Sequence, residues 1–173
     1  MRKPQIIDRG RDQDFLRVAL ALAEKGAGLG EVPVGAVVVQ GGEIIGRGFN
    51  CPISTNDPSA HAEMVAIRDA ATNVQNYRLP GSTLYVTLEP CSMCAGLIVH
   101  SRIQRVVYGA TEPKAGVVIS RGQFFSQDFL NHRVLIEGGV LEEECSQVLS
   151  DFFRMRREQS RARRAVEAGS GEA

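Results

Sequence analysis

The chain has 173 residues, of which 43% are hydrophobic and 23% charged, a composition that excludes collagen-like, disordered and membrane-spanning classes. A net charge of zero argues against general affinity for nucleic acid, and no secretion signal or membrane span is recognisable, so we expect a cytoplasmic protein without a membrane partner. In such a protein, the four cysteines are expected to be metal ligands or core thiols rather than disulfides.

The first half of the chain predicts a helix, a hairpin and a second helix. Asp12 or Asp14 could cap the first helix, which would run to about Lys25. An apolar strand over 34–40 is followed by the two-residue turn Gly41-Gly42 and a returning strand over 43–49. A loop ending near Pro58 then leads into a helix over about 60–71.

The second half continues the alternation of strands and helices. It predicts a strand over 82–87, a helix from Pro90 to about His100, a strand over 105–108 and a fifth strand over 133–137, with mixed structure over 111–129. This order predicts a three-layer α/β/α domain around a mixed five-stranded sheet, spanning residues 1–164.

The last predicted helix covers about 141–164. Its apolar stripe has good helical spacing and consists of Leu141, Cys145, Val148, Leu149 and Phe152. Phe153 lies about 100° away from that stripe, so it is either exposed or packed on another element. Residues 165–173 are small, polar and glycine-rich, which predicts a disordered tail.

Two short segments supply a set of side chains suited to a catalytic metal. His61, Cys91 and Cys94 provide three zinc ligands, the number typical of a catalytic site that leaves one position for water. Glu63 lies close to His61 in sequence and remains available to transfer protons. Placed near two helix N-termini, these side chains predict a zinc site with hydrolytic chemistry.

Each part of this set has a plainer interpretation. A C-x-x-C pair alone is also typical of structural zinc or redox sites, and Cys51 could close the site as a fourth ligand. Cys145 lies on an apolar stripe and is expected to be a core thiol, while His100 and His132 are expected to be structural. The joint pattern H-x-E…P-C-x-x-C is far more specific, since it is the signature of zinc-dependent nucleobase deaminases.

A local basic cluster interrupts the otherwise balanced charge. Six arginines and one glutamate lie between residues 154 and 164, giving this segment a charge of +5. The cluster predicts either a phosphate-contacting surface or an ordinary solvated helix end, where arginine also favours the helix dipole.

The chain resembles the bacterial tRNA-specific adenosine deaminases, within the wider cytidine deaminase-like superfamily. The resemblance runs from about residue 14 to 157 and rests on the segments EVPVGA (31–36), GFN (48–50), HAE (61–63), NYRL (76–79), TLYVTLEPCSMCAG (83–96) and DFFRMRR (151–157). The zinc motifs are common to the superfamily, whereas EVPVGA, NYRL and FFRMRR are more particular to the tRNA enzymes.

This resemblance implies a cytidine deaminase-like fold, a homodimer, one Zn²⁺ per subunit and a tRNA anticodon stem-loop as partner. It implies conversion of adenosine to inosine at the first anticodon position, with Glu63 carrying protons to ring N1 and to the departing amine. The implied base contacts are Asn50, Val32, Pro33, Val34 and Ala62. The implied RNA contacts are Glu112, Lys114, Phe152, Phe153, Arg154, Arg156 and Arg157.

One loop departs from the family pattern. After Gly109-Ala110 the family usually places an aspartate and then a lysine, whereas this chain has Glu112, Pro113 and Lys114. The bulkier run Val117-Val118-Ile119 follows. The charge is kept, but its reach is one methylene longer, so we expect the RNA contacts of this loop to be altered.

Two other functions fit parts of the sequence. A deaminase of a free base or nucleotide, of guanine or deoxycytidylate type, needs the same zinc site but no RNA surface. A non-enzymatic RNA-binding module with structural zinc would need the basic cluster but not the Glu63 carboxylate.

Overall fold

A computed structural model of the protein describes residues 9–169 and places its five strands in one sheet. In chain order, the elements are α1 (Arg9–Gly28), β1 (Gly35–Gln40), β2 (Glu43–Phe49), α2 (Pro52–Thr55), α3 (Ala62–Val74), β3 (Ser82–Leu88), α4 (Ser92–His100), β4 (Arg105–Ala110), a 3-10 turn (Phe124–Ser126), β5 (Leu135–Glu137) and α5 (Glu142–Gly169). No helix within the described range combines the length and apolar character needed to span a bilayer.

The sheet is mixed, and its strand order explains where a site can form. The order is β2-β1-β3-β4-β5, with β1 antiparallel to both β2 and β3, while β3, β4 and β5 run parallel. Segments that follow neighbouring parallel strands emerge side by side at one edge of the sheet, so the chain after β3 meets the chain after β4. The predicted mixed five-stranded sheet is confirmed.

Helices cover both faces of this sheet, as the alternation of apolar side chains requires. In β1, Val37 and Val39 belong to the core cluster with Leu16 and Ala19 of α1. Val38 points the other way, into the cluster that includes Ala66 of α3. Because α5 packs on the first face and α4 on the second, the predicted three-layer α/β/α arrangement is confirmed.

Two glycines allow the helices to approach the sheet closely. A Cβ at Gly35 would overlap the backbone of Ala19 in α1, and a Cβ at Gly48 would overlap the backbone of Ala62 and Ala66 in α3. The second contact matters for function, because it sets the first turn of α3 directly against β2.

Several predicted boundaries differ from the structure. The first helix begins at Arg9, so Asp12 is a buried residue inside α1 rather than its cap. The fifth strand is shorter than predicted and begins at Leu135. The last helix continues to Gly169, so the predicted tail from Ala165 is helical as far as it is described; residues 170–173 lie outside the described range. Alanine and glutamate in this stretch favour helix, and Arg163 pairs with Glu167 one turn on.

A buried ion pair joins α1 to the sheet and explains why Asp12 is not a cap. Arg105 donates from two nitrogens to the two Asp12 carboxylate oxygens, at 2.8 and 2.7 Å, and also pairs with Glu137. The Tyr85 hydroxyl donates to Asp12 at 2.7 Å. Burial opposes ionisation, but the bonds from Arg105 and Tyr85 outweigh it and lower the pKa of Asp12.

Replacing Asp12 with asparagine should lower the free energy of unfolding by about 3 kcal/mol, because it leaves Arg105 buried with an incomplete set of partners. Chemical denaturation at neutral pH measures this loss. Since the pKa of Asp12 is lower in the folded state, its contribution is present above its unfolded pKa and disappears as the pH falls through the folded pKa. The same change at exposed Asp14 should have an effect near zero.

Candidate metal centre and active site

Two helix N-termini present the three predicted metal ligands. His61 and Cys91 are the N-cap residues of α3 and α4, both with extended backbone, and Cys94 lies in the first turn of α4. The first helical bonds confirm these ends: Val65 N–H donates to His61 C=O, and Ala95 N–H to Cys91 C=O. The helices therefore begin at Ala62 and Ser92, each two residues later than predicted, and both N-cap side chains point out of the helix end.

The three donor atoms converge with the spacing that zinc requires. The His61 Nδ1 atom lies 3.6 Å from the sulfur of Cys91 and 3.6 Å from that of Cys94. Usual Zn–S and Zn–N bond lengths with a tetrahedral angle place a sulfur and a nitrogen about 3.6 Å apart. All three ligand atoms lie within 4.8 Å of one another, so the residues fit a zinc ion.

The protonation of the two cysteines favours binding of a cation. Hydrogen bonds from Cys94 and from His61 lower the pKa of Cys91 to about 4, so this side chain is already a thiolate at neutral pH. The same contact with the Cys91 thiolate raises the pKa of Cys94, which holds the shared proton. Zinc binding would displace that proton, since both sulfurs bind metal as thiolates.

Glu63 lies in the first turn of α3, directly behind the ligand His61, and only 4% of its surface is exposed. Burial and, to a smaller extent, the nearby Cys91 thiolate raise the pKa of Glu63 to about 7, against the opposing effects of a backbone hydrogen bond and of His61. A buried carboxyl with a pKa near neutrality is the arrangement expected of a general acid/base.

The segment before α2 is attached to the start of α3, next to the ligand His61. The Asn50 side-chain oxygen accepts a hydrogen bond of 2.8 Å from Ala62 N–H, at the start of α3. The backbone N–H of Asn50 donates to Val34 C=O at 3.0 Å, which ties in the partly buried Val32 and the buried Pro33. These two hydrogen bonds therefore link the residues predicted to contact a base to one another and, through Ala62, to the adjacent ligand His61.

Glu112 and Lys114 lie in the loop after β4. The Glu112 carboxylate accepts a hydrogen bond of 2.8 Å from Lys114 N–H and so caps its own turn. Gly116 in this loop forms an isolated β-bridge with Cys91, which places the loop beside a metal ligand.

The basic segment of α5 is exposed along most of its length. Phe153 is 45% exposed and meets the buried Phe152 edge to face, so of the two alternatives for Phe153 the structure favours exposure. Arg154 pairs with Asp151, and Arg156 lies over the Phe152 ring, while Arg157 extends into solvent. The exposed aromatic ring and the arginines share one helical segment.

The remaining candidate side chains have structural roles or none in the metal centre. Cys145 is buried in the α1-side core, and the ring of His132 bonds to the carbonyl of Ile103. Among residues 9–169, the ligand cluster contains His61, Cys91 and Cys94 and excludes Cys51. Sequence reasoning missed two buried carboxylates near the site, Glu31 and Glu89, although a charge within an apolar run could have marked Glu89.

The fold and the three-ligand centre define a zinc-dependent deaminase of the cytidine deaminase-like class. Residues 9–110 match the model for the cytidine and deoxycytidylate deaminase zinc-binding region. The chain is 54% identical over 156 residues to the tRNA-specific adenosine deaminase of Haemophilus influenzae, covering 90% of each protein. It belongs to the family of tRNA-specific adenosine deaminases.

Further comparisons agree with this assignment. The tRNA-specific adenosine deaminase of Bacillus subtilis is 44% identical over 154 residues, which cover 89% of this chain and 96% of the relative. A solved structure from studies of A-to-I editing by tRNA:A34 deaminases at the wobble position superposes with a TM-score of 0.77 at 44% identity. That likeness covers 79% of this chain and 99% of the other.

Proposed function

We propose that this chain catalyses hydrolytic deamination of adenosine to inosine at the first anticodon position of a tRNA. The observation that carries the proposal is the convergence of His61, Cys91 and Cys94 beside the buried Glu63 carboxyl. Membership of the tRNA-specific adenosine deaminase family supports the choice of substrate. Incubation of zinc-loaded protein with a tRNA transcript, followed by detection of inosine, tests it.

Glu63 carries the protons in the proposed reaction. His61, Cys91 and Cys94 would hold a zinc ion, which would supply Lewis-acid activation of the attacking water. Glu63 accepts a proton from that water and delivers it to ring N1 while the oxygen adds to C6. The carboxylate so regenerated takes the second proton from the hydroxyl now on C6 and delivers it to the exocyclic amine, so that the C6–N bond breaks, ammonia leaves and the C6 carbonyl of inosine forms. Burial suits Glu63 to both steps, because a pKa of about 7 lets the carboxyl release a proton as readily as it takes one up near neutral pH.

Asn50 and the segment before β1 are proposed to hold the flipped base. Because Ala62 N–H already occupies the Asn50 side-chain oxygen, the amide NH₂ remains to donate to an acceptor on the purine. Val32, Pro33 and Val34 would supply the apolar wall, and Ala62 the floor. Enclosing a base outside the helical stack is the usual requirement of nucleobase deaminases.

The exposed face of α5 is proposed to contact the anticodon arm. Phe153 offers a ring on which an unstacked base can lie, and Arg154, Arg156 and Arg157 offer charge to phosphates. Leu149, one turn earlier on α5, packs against the same core cluster as Val118 of the loop that carries Glu112 and Lys114.

Replacing Arg156 and Arg157 together with glutamine should raise KM for tRNA about tenfold, with kcat nearly unchanged, because phosphate contacts contribute mainly to binding. Steady-state inosine formation at two salt concentrations measures the change, and the variant should show a weaker salt dependence. Replacing Arg17 and Arg47, exposed on α1 and β2, is the matched control. An unchanged KM would favour a deaminase of a free base or nucleotide.

A cytoplasmic homodimer completes the proposal. A cytoplasmic location follows from the proposed substrate. Dimerisation is supported by large apolar side chains that the single chain leaves exposed, including Tyr77, Ile119 and Phe129. A second copy that covers such side chains would remove apolar surface from water.

A further inference from the structure

Glu89 is a buried carboxylate outside the proposed chemistry. It follows β3 directly, precedes the ligand Cys91 by two residues, and is only 2% exposed. Its backbone N–H donates to Ala110 C=O at 2.9 Å, which fixes it between the ends of β3 and β4. A charged side chain in this position requires compensating partners.

The partners of Glu89 all come from one loop. One carboxylate oxygen accepts hydrogen bonds from the backbone N–H groups of Val118, Ile119 and Ser120, at 3.0, 2.8 and 3.0 Å. The other oxygen accepts from Glu112 N–H at 2.9 Å and from the Ser120 hydroxyl. The loop over 112–120 therefore wraps around a single carboxylate.

Among residues 9–169, no basic side chain forms an ion pair with the Glu89 carboxylate. The ion pairs found there involve other carboxylates, among them Asp12, Asp57 and Glu137. Four backbone N–H groups and the Ser120 hydroxyl of the loop stabilise the Glu89 charge, and the same hydrogen bonds hold the loop in place. Gly116 leaves room for the arrangement, since a Cβ there would overlap the Glu89 carboxyl group.

The same loop is attached to the metal-ligand segment. Val117 N–H donates to Pro90 C=O at 3.0 Å, and Gly116 forms a bridge with Cys91. Outward from these anchors, the loop presents Lys114 to solvent. Glu89 therefore links the metal-ligand segment to a part of the proposed RNA surface.

We infer that Glu89 is a positioning residue that fixes the loop over 112–120 beside the active site and so determines affinity for the RNA substrate more than the rate of deamination. The inference rests on the proposed function. It concerns the placement of the loop, because no Glu89 oxygen bonds to a metal ligand.

Glu89→Gln tests this role with little change in side-chain shape. Glutamine keeps one acceptor oxygen but replaces the other with an NH₂ group. That NH₂ group would face N–H donors of the loop, to which it cannot form the hydrogen bonds that the second carboxylate oxygen now accepts. We expect KM for an anticodon-arm hairpin with adenosine at the first anticodon position to rise about tenfold, with kcat within about threefold of wild type. Zinc content should remain at the wild-type level.

Two further variants separate positioning from general stability. Ser120→Ala removes only the hydroxyl donor and should raise KM about threefold without affecting folding. Glu137→Gln alters a partly buried carboxylate on β5 and should change melting temperature but not KM. A purely structural role would reduce the active fraction, which lowers kcat and leaves KM unchanged.

An unchanged KM in both Glu89→Gln and Ser120→Ala would overturn the inference, and if Glu89→Gln fails to fold, the KM of Ser120→Ala decides alone. These outcomes are read against wild-type activity on the same hairpin. Absence of inosine with the wild-type protein would instead contradict the proposed function, so the two failures are distinguishable.

Discussion

Replacing Glu63 with glutamine should lower kcat for tRNA deamination by about 10³-fold while zinc remains bound. Glutamine has nearly the same shape but can neither accept the proton of the attacking water nor deliver one to N1 or the leaving amine. Single-turnover inosine formation, together with zinc per chain by atomic emission, measures both properties.

The matched control for this prediction is Glu24→Gln, which changes an exposed carboxylate on α1 and should leave the rate unaltered. A Glu63→Gln protein with full zinc and near wild-type kcat would remove Glu63 from the mechanism.

Replacing Cys91 with serine should reduce zinc retention and activity together, with each falling by at least about tenfold. The Cys91 thiolate is the ligand with the lowest pKa in the cluster, so its loss removes the charge that attracts the cation and the partner that orients His61. Zinc per chain after dialysis, measured beside the initial rate, provides the test.

Cys51→Ser is the control for the ligand prediction, because Cys51 lies outside the ligand cluster and should keep both zinc and activity. Loss of zinc in Cys51→Ser would support the fourth-ligand alternative. A Cys91→Ser protein with full zinc and no activity would contradict the ligand role of Cys91.

Local sequence patterns predicted most of the fold and the metal centre. The apolar segment over 34–40 identified the first strand, and the turn Gly41-Gly42 located the hairpin. The motifs around His61 and Cys91 predicted two helix N-termini meeting at one site, because thiolates and fanned side chains both suit such ends. Each of these signals is local and occupies only a few consecutive residues of the chain.

Interactions between distant segments could not be predicted in this way. Asp12 pairs with Arg105, 93 residues later in the chain. The prediction that Asp12 could cap α1 was wrong because no local sequence pattern reveals such a distant partner. The Glu89 carboxylate bonds to backbone groups up to 31 residues away, and backbone donors carry no sequence signal. The helix over 165–169 was not predicted, because the small, polar and glycine-rich composition of 165–173 was read as that of one disordered segment.

The most direct test of the proposed function is inosine formation by zinc-loaded protein on a tRNA transcript with adenosine at the first anticodon position, with free adenosine assayed in parallel. We expect inosine in the tRNA and none from the free nucleoside, since the site joins deaminase chemistry to an RNA-binding surface. Deamination of the free nucleoside, or of neither substrate, would contradict the proposal and assign the zinc site to a small-molecule deaminase.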